Sequence, residues 1–222
     1  MIGKHNMFWG SVSPLGGLVG IGLLIMASGR LAWAVSVSLA LLFIYVFSVT
    51  AFVFLSSSMC EKFFPRRGRV HIFTCICYFF GSIYILISWL VSPLATMEVF
   101  FLILLVPLFC AGSGIFSRCL ALGENFHTDL PDSLREASLT AAGEAAVLAL
   151  LIILVSLIRE PLAFYSLSLP GFSNGMVTIF SLNDGSVLPI RVFGGSAGAL
   201  LLLGYLVCLY RYYKNKYYPG DM

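Results

Sequence analysis

Apolar residues in this chain fall into long runs, not into alternating positions. Six runs stand out, over residues 12–28, 31–55, 70–91, 97–116, 139–158 and 195–213. A helix needs ~20 apolar residues to cross the hydrocarbon core of a bilayer, so each run predicts a membrane-spanning helix. The first run carries Ser13-Pro14 and Gly16-Gly17, and the fourth carries Pro107 and Gly112-Ser113-Gly114. Those two helices are expected to be short or broken, because Pro removes a helical hydrogen bond and Gly loosens the backbone. A β-barrel would show ~10-residue alternating segments, which are not seen. The expected fold class is an all-α integral membrane protein with six transmembrane helices.

Composition sharpens this. Of 222 residues, 59% are hydrophobic and 10% are charged, with a mean hydropathy of +0.98. A soluble domain has roughly 45–50% apolar and about 25% charged residues. The charges here are too few to coat a water-facing globule. That excludes a soluble enzyme, a disordered chain and a nucleic-acid binder, and leaves the lipid bilayer as the surrounding medium.

Charge placement sets an orientation. With six spans, Lys4, Lys62, Arg66, Arg67, Arg69, Arg118, Arg135, Arg211, Lys214 and Lys216 share one side, and only Arg30, Arg159 and Arg191 lie on the other. Basic residues favour the cytoplasmic side, so both termini are expected in the cytoplasm and the protein in the cell inner membrane. Tyrosines crowd around Arg211 and Lys214, as in an interfacial aromatic anchor. The 117–138 loop holds four of the ten acidic residues, and its Leu130-Pro131-Asp132-Ser133 reads as a turn before the fifth helix. The 159–194 loop is long and nearly uncharged. It carries Pro170-Gly171, Asn174-Gly175 and Asn183-Asp184-Gly185, and is expected to fold as a small cap on the outer side.

Candidate chemistry is sparse. His71 and Cys75 share a helix face beside Cys77, but a metal site needs three or four ligands, and packing is the simpler role for these cysteines. His5, His71 and His127 are scattered, so no catalytic cluster forms and no catalytic residue is assigned. Two intramembrane carboxylates, Glu144 in the fifth run and Glu98 at the start of the fourth, are the candidates for an ion path, since buried carboxylates often mark one. Arg159-Glu160, at the end of the fifth run, reads as an adjacent polar boundary.

The spans run short, long, long, then short, long, long. This predicts one transmembrane domain over 1–222, built from two three-helix repeats of about 1–92 and 93–222 with inverted topology. In many transporters such paired broken helices surround a midplane site, and irregular backbone at that depth must be buried in protein or line a cavity.

Specific residues resemble a known family. Val12-Ser13-Pro14-Leu15 is similar to its Leu-Cys-Pro-Leu in the first helix. Pro107-Leu108, then Gly112-Ser113-Gly114, then Arg118 resembles its fourth-helix Pro-Leu, Thr-Asn-Cys and Arg. Ile158-Arg159-Glu160-Pro161-Leu162 is similar to its Ile-Arg-Glu-x-Leu, and Gly194-Gly195-Ser196-Ala197-Gly198 resembles the start of its last helix. The family is that of the six-helix membrane subunits of Rnf and Nqr electron-transport complexes, the branch with cytoplasmic termini. The resemblance implies a homologous membrane subunit of inverted topology and other complex subunits as partners. It also implies a 2Fe–2S cluster at mid-membrane, held by one cysteine from each broken helix of the two homologous subunits, and electron transfer coupled to Na⁺ or H⁺ translocation.

This chain departs from the family where the cluster would sit. Ser13 and Ser113 occupy both cysteine positions. Iron–sulfur clusters are held by thiolates, so the cluster is expected to be absent from this chain. Cys110 and Cys119 are out of register with those positions. The expected function is a membrane subunit of an Rnf/Nqr-like complex without its own cluster; the alternative is a stand-alone secondary transporter with a midplane site at the broken helices.

Overall fold

The computed structural model describes residues 18–58, 66–91, 101–107, 130–171, 175–181 and 191–217. Helix α1 (Leu18–Ala27) is only 10 residues long. It ends at Ser28-Gly29, where Ser28 N still donates to Leu24 O and Gly29 N to Met26 O. After this tight turn α2 (Leu31–Ser58) runs for 28 residues without Gly or Pro. Helix α3 (Arg66–Val91) follows, and residues 101–107 form a further helical segment. Helix α4 (Leu130–Phe164) is 35 residues long. A hairpin of β1 (Ser166–Gly171) and β2 (Gly175–Ser181), a 3-10 turn (Arg191–Gly194) and α5 (Ser196–Tyr217) complete the described chain.

Three of these helices are long and apolar enough to cross a membrane, at Leu31–Leu55, His71–Leu90 and Ala141–Phe164. The apolar part of α5, Ser196–Leu209, is shorter. The fold is therefore mostly helical and suited to a membrane, with one small sheet that an all-α reading did not include.

Helix α2 is the centre. Its aromatic face meets α3 through Phe43–Phe80, with ring centroids 6.5 Å apart, and Phe52–Phe73, 5.3 Å apart. Tyr84 Oη donates to Ser36 O at 3.1 Å. As the partner number rises on α2 it falls on α3, so the two helices are antiparallel. The other face of α2 meets α4, where Ser38 Oγ donates to Ala149 O at 3.2 Å and Leu31 N to a carboxylate oxygen of Glu160 at 2.7 Å. That pair is antiparallel too. Hence α3 and α4 run the same way, and the end of α3 and the start of α4 lie at opposite ends of α2.

One apolar core joins these elements. Leu24 of α1, Leu41 and Ile44 of α2, Phe73 and Cys77 of α3, Val106, Leu148 and Ile152 of α4 and Leu203 of α5 all belong to it. Small residues on α4 (Ala141, Ala145 and Ala149, one turn apart) are buried and let the helix approach closely. Of the α2 span, 56% is buried, against 17% of the α3 span. Phe79, Leu86, Trp89 and Leu90 of α3 point outward. A water-facing helix would not present them, whereas a bilayer solvates them.

Helix α4 departs from the sequence expectation at both ends. It begins at Leu130, so Pro131 and Asp132 lie in its first turn instead of in a preceding loop. Proline is tolerated there because the first N–H groups have no intrahelical partner. At the other end the helix passes Pro161 and stops at Phe164. Tyr165 then takes a left-handed conformation (φ 48°), with its N–H on Pro161 O at 3.0 Å. This is a helix cap normally left to glycine. It turns the chain into β1, so the cap expected from the 159–194 loop is in part this hairpin. The strands pair antiparallel, and a bulge at Ile179 interrupts the register between Leu167 and Ser168.

Candidate functional site

The densest polar site in the described residues lies at the end of α4, in Arg159 and Glu160. Both side chains are buried, at 3% and 1% exposure. Neighbouring helical residues diverge by about a quarter turn, so the two side chains reach different partners.

Arg159 uses all five of its donors. Nε donates to Phe193 O at 2.6 Å. Nη1 donates to Ile25 O and Ser28 Oγ, both at 2.9 Å. Nη2 donates to Gly194 O at 2.9 Å and Gly195 O at 3.0 Å. These oxygens are neutral, but the carbonyl of Ile25 and the Ser28 hydroxyl lie at the C-terminal end of α1, where the helix dipole is negative. Glu160 does the converse. One carboxylate oxygen accepts from Leu31 N, at the positive N-terminal end of α2. The other accepts from Ser168 N at 3.1 Å and Ser168 Oγ at 2.5 Å. The pair thus grips the α1–α2 turn from both sides, and ties it to the hairpin and to the entry of α5.

Glycine makes the approach of α5 possible. A Cβ on Gly198 would run into Phe193 Cα and lie 2.7 Å from Val192 O. Only a residue without a Cβ lets α5 press on the 3-10 turn whose carbonyls hold Arg159.

The chain matches no protein-family model, no curated protein and no solved structure. Its site must be read from its own geometry. In that geometry the Ser28 and Ser168 hydroxyls beside the pair are both engaged by it. It holds irregular backbone in place where five chain segments meet.

The residues singled out by sequence fall elsewhere. Ser13, Ser113 and Glu98 lie outside the described residues, as do Cys110 and Cys119. Glu144 is half-buried on α4, beside buried Ala141, Ala145 and Leu148. It stands sixteen residues before Glu160, or about 24 Å along the helix, so the two carboxylates do not share a site. The described cysteines do not assemble either: Cys75 and Cys208 are exposed and Cys77 is buried, with no disulfide among them. Among the described residues no group of three His, Cys, Asp or Glu could hold a metal.

Arg159-Glu160 was read from sequence as a polar boundary, and the structure makes it the organising centre of this end of the bundle. The partners are mostly backbone atoms, which carry no sequence signature. One signal was available: an Arg-Glu pair at the end of an apolar run followed by only one further charge before residue 191. Two charges in so apolar a stretch are expensive unless each is fully hydrogen-bonded.

Proposed function

We propose that this chain is a membrane subunit of an Rnf/Nqr-like complex that couples electron transfer to Na⁺ or H⁺ translocation. One observation carries the reading. Two of the four motifs by which the chain resembles that family meet: Arg159 of the fifth-helix motif donates to Gly194 O and Gly195 O of the last-helix motif, so two stretches matched separately in sequence share one contact.

Two features support the accompanying topology. The end of α3 and the start of α4 lie at opposite ends of α2, which demands an odd number of crossings between them, and a fourth span supplies one. The basic residues then segregate to one side, with both termini cytoplasmic. On this reading the chain forms two inverted three-helix repeats and pairs with a homologous subunit of opposite topology. It carries no 2Fe–2S cluster of its own, and its part is to scaffold the complex or its ion path, for which Glu144 and Glu98 are the candidate residues.

Co-purification tests the proposal. A tagged chain drawn from native membranes in mild detergent should bring a second integral membrane protein and redox-active subunits with it. A monomer that is stable and transports a solute when reconstituted alone would overturn it in favour of a secondary transporter. Cysteine labelling at 62–69 and at 170–185 tests the topology, and labelling of both from one side refutes it.

A further inference from the structure

At the same end of the bundle, Arg30 stands exposed between two aromatic rings. Its guanidinium carbon lies 5.7 Å from the centroid of Trp33 and 5.5 Å from that of Phe164, both within cation–π range. Nη1 lies 3.4 Å from Met176 Sδ on β2, a weak acceptor. Among the described residues no carboxylate pairs with Arg30. Glu160, which accepts from the adjacent Leu31 N, is committed to Leu31 and Ser168. Rings and a thioether hold the guanidinium in place while leaving hydrogen-bond donors open to an anion.

The hairpin fixes the depth of this cation. Among the described residues β2 pairs only with β1, which leaves its other edge of N–H and C=O groups open. An open edge cannot lie in hydrocarbon, where each unpaired backbone group costs several kcal/mol. Yet Ile179 and Phe180 on β2 are 61% and 51% exposed, and so favour an apolar boundary. Both conditions are met at the headgroup level, where water reaches the backbone and acyl chains begin. Since Met176 of β2 touches Arg30, the guanidinium lies at that level too, one residue before the span that starts at Leu31. Phosphates occupy that depth, and a guanidinium binds a phosphate with paired donors.

We propose that Arg30, flanked by Trp33 and Phe164 and touched by the hairpin, binds the phosphodiester of a phospholipid in the leaflet at this end of the bundle. Its acyl chains then run down the exposed apolar surface next to Phe164. This site is independent of the complex proposed above and stands if the chain works alone.

The test is thermal melting of the full chain, with whatever subunits travel with it, in lipid-depleted detergent. Phosphatidylglycerol should raise the Tm of the unmodified protein by about 3 °C, as a ligand binding only the folded state does. Arg30→Ala should abolish that rise, and Arg30→Lys should keep part of it. Diacylglycerol, which has the chains without the phosphate, and inorganic phosphate should each give no rise. An equal rise in Arg30→Ala, or with diacylglycerol, overturns the site; an equal rise with inorganic phosphate overturns the lipid as its source. If Arg30→Ala does not fold, Arg30→Gln serves in its place. A photocrosslinker at Thr178 in native membranes gives a second measurement, and capture of a polypeptide instead of lipid would overturn the proposal.

Discussion

The α2–α4 interface at mid-span and the Arg159–Glu160 site at its end are both fully buried, yet they are built from opposite materials. At mid-span, alanines on α4 meet leucine and isoleucine on α2, and one hydroxyl-to-carbonyl bond joins Ser38 to Ala149. At the end, two formal charges make eight hydrogen bonds. The backbone explains the difference. Inside a helix every N–H and C=O is satisfied locally, so association needs only close packing. Where α1 stops, α2 starts, β1 begins and the 3-10 turn enters α5, the Arg and Glu bond six backbone groups: Ile25 O, Phe193 O, Gly194 O, Gly195 O, Leu31 N and Ser168 N.

If that contrast is right, Arg159→Leu is the most damaging single change in the described chain. It removes five donors and takes from the part-buried carbonyls of Phe193 and Gly194 their bond to the guanidinium, at about 3–5 kcal/mol by analogy with breaking a buried charged network. For a chain of this size the melting midpoint should fall by roughly 10 °C. Arg159→Lys should recover only part of this, because an ammonium offers three donors in place of five. A midpoint for Arg159→Leu within about 2 °C of the parent would dissolve the comparison. Glu160→Gln should cost less, about 1–3 kcal/mol, since the amide keeps one acceptor but turns an N–H₂ toward a backbone donor.

Gly198→Ala probes the same region through shape. The added methyl meets Phe193 Cα and Val192 O, backbone atoms that cannot swing away. A loss of about 1–3 kcal/mol is expected, as for overpacking elsewhere. Gly204→Ala, one and a half turns later on the same helix, has nothing within 4 Å of the new methyl. There the usual helical preference for Ala over Gly should raise stability by roughly 0.5–1 kcal/mol. Equal effects at the two positions would mean that close approach to the 3-10 turn is not what Gly198 provides.

The same division marks how far the sequence could be read. The span at 31–55 coincides with the structure because an unbroken apolar run without Gly or Pro has one way to satisfy its backbone in lipid. The breakers expected to shorten the first helix, Ser13-Pro14 and Gly16-Gly17, lie outside the described residues. The start of α4 was missed because Asp132, Arg135 and Glu136 read as loop composition, although Leu, Arg, Glu and Ala are good helix formers and Pro131 suits a first turn. The end was missed because Arg159-Glu160 reads as a polar boundary, whereas the helix carries both charges, passes Pro161 at the loss of a single hydrogen bond and continues to Phe164. The Arg159–Glu160 site was illegible as a site for a deeper reason. Its partners sit as far as 134 positions away in sequence, and nearly all are main-chain atoms common to every residue.

The smallest expected effects test the mid-span half of the contrast, and they should differ in sign. Ser38→Ala removes the bond to Ala149 O, which is also the acceptor of a helical N–H and so is not left orphaned. Bonds of this kind between membrane helices average about 0.6 kcal/mol, and the loss should be of that size, about 1–2 °C in the midpoint. Ser156 is equally buried on α4, but among the described residues its hydroxyl has no hydrogen-bond partner. A buried hydroxyl without one is unfavourable by about 1–3 kcal/mol on mutational scales, and alanine removes it while keeping the Cβ that packs. Ser156→Ala should therefore leave the midpoint unchanged or raise it, against the fall at Ser38. Melting both variants beside Gly204→Ala in one detergent measures this directly. A fall at Ser156 matching the Arg159→Leu loss would show that polar anchoring extends down α4 into the span, and that packing of small residues is not sufficient to hold the helices together there.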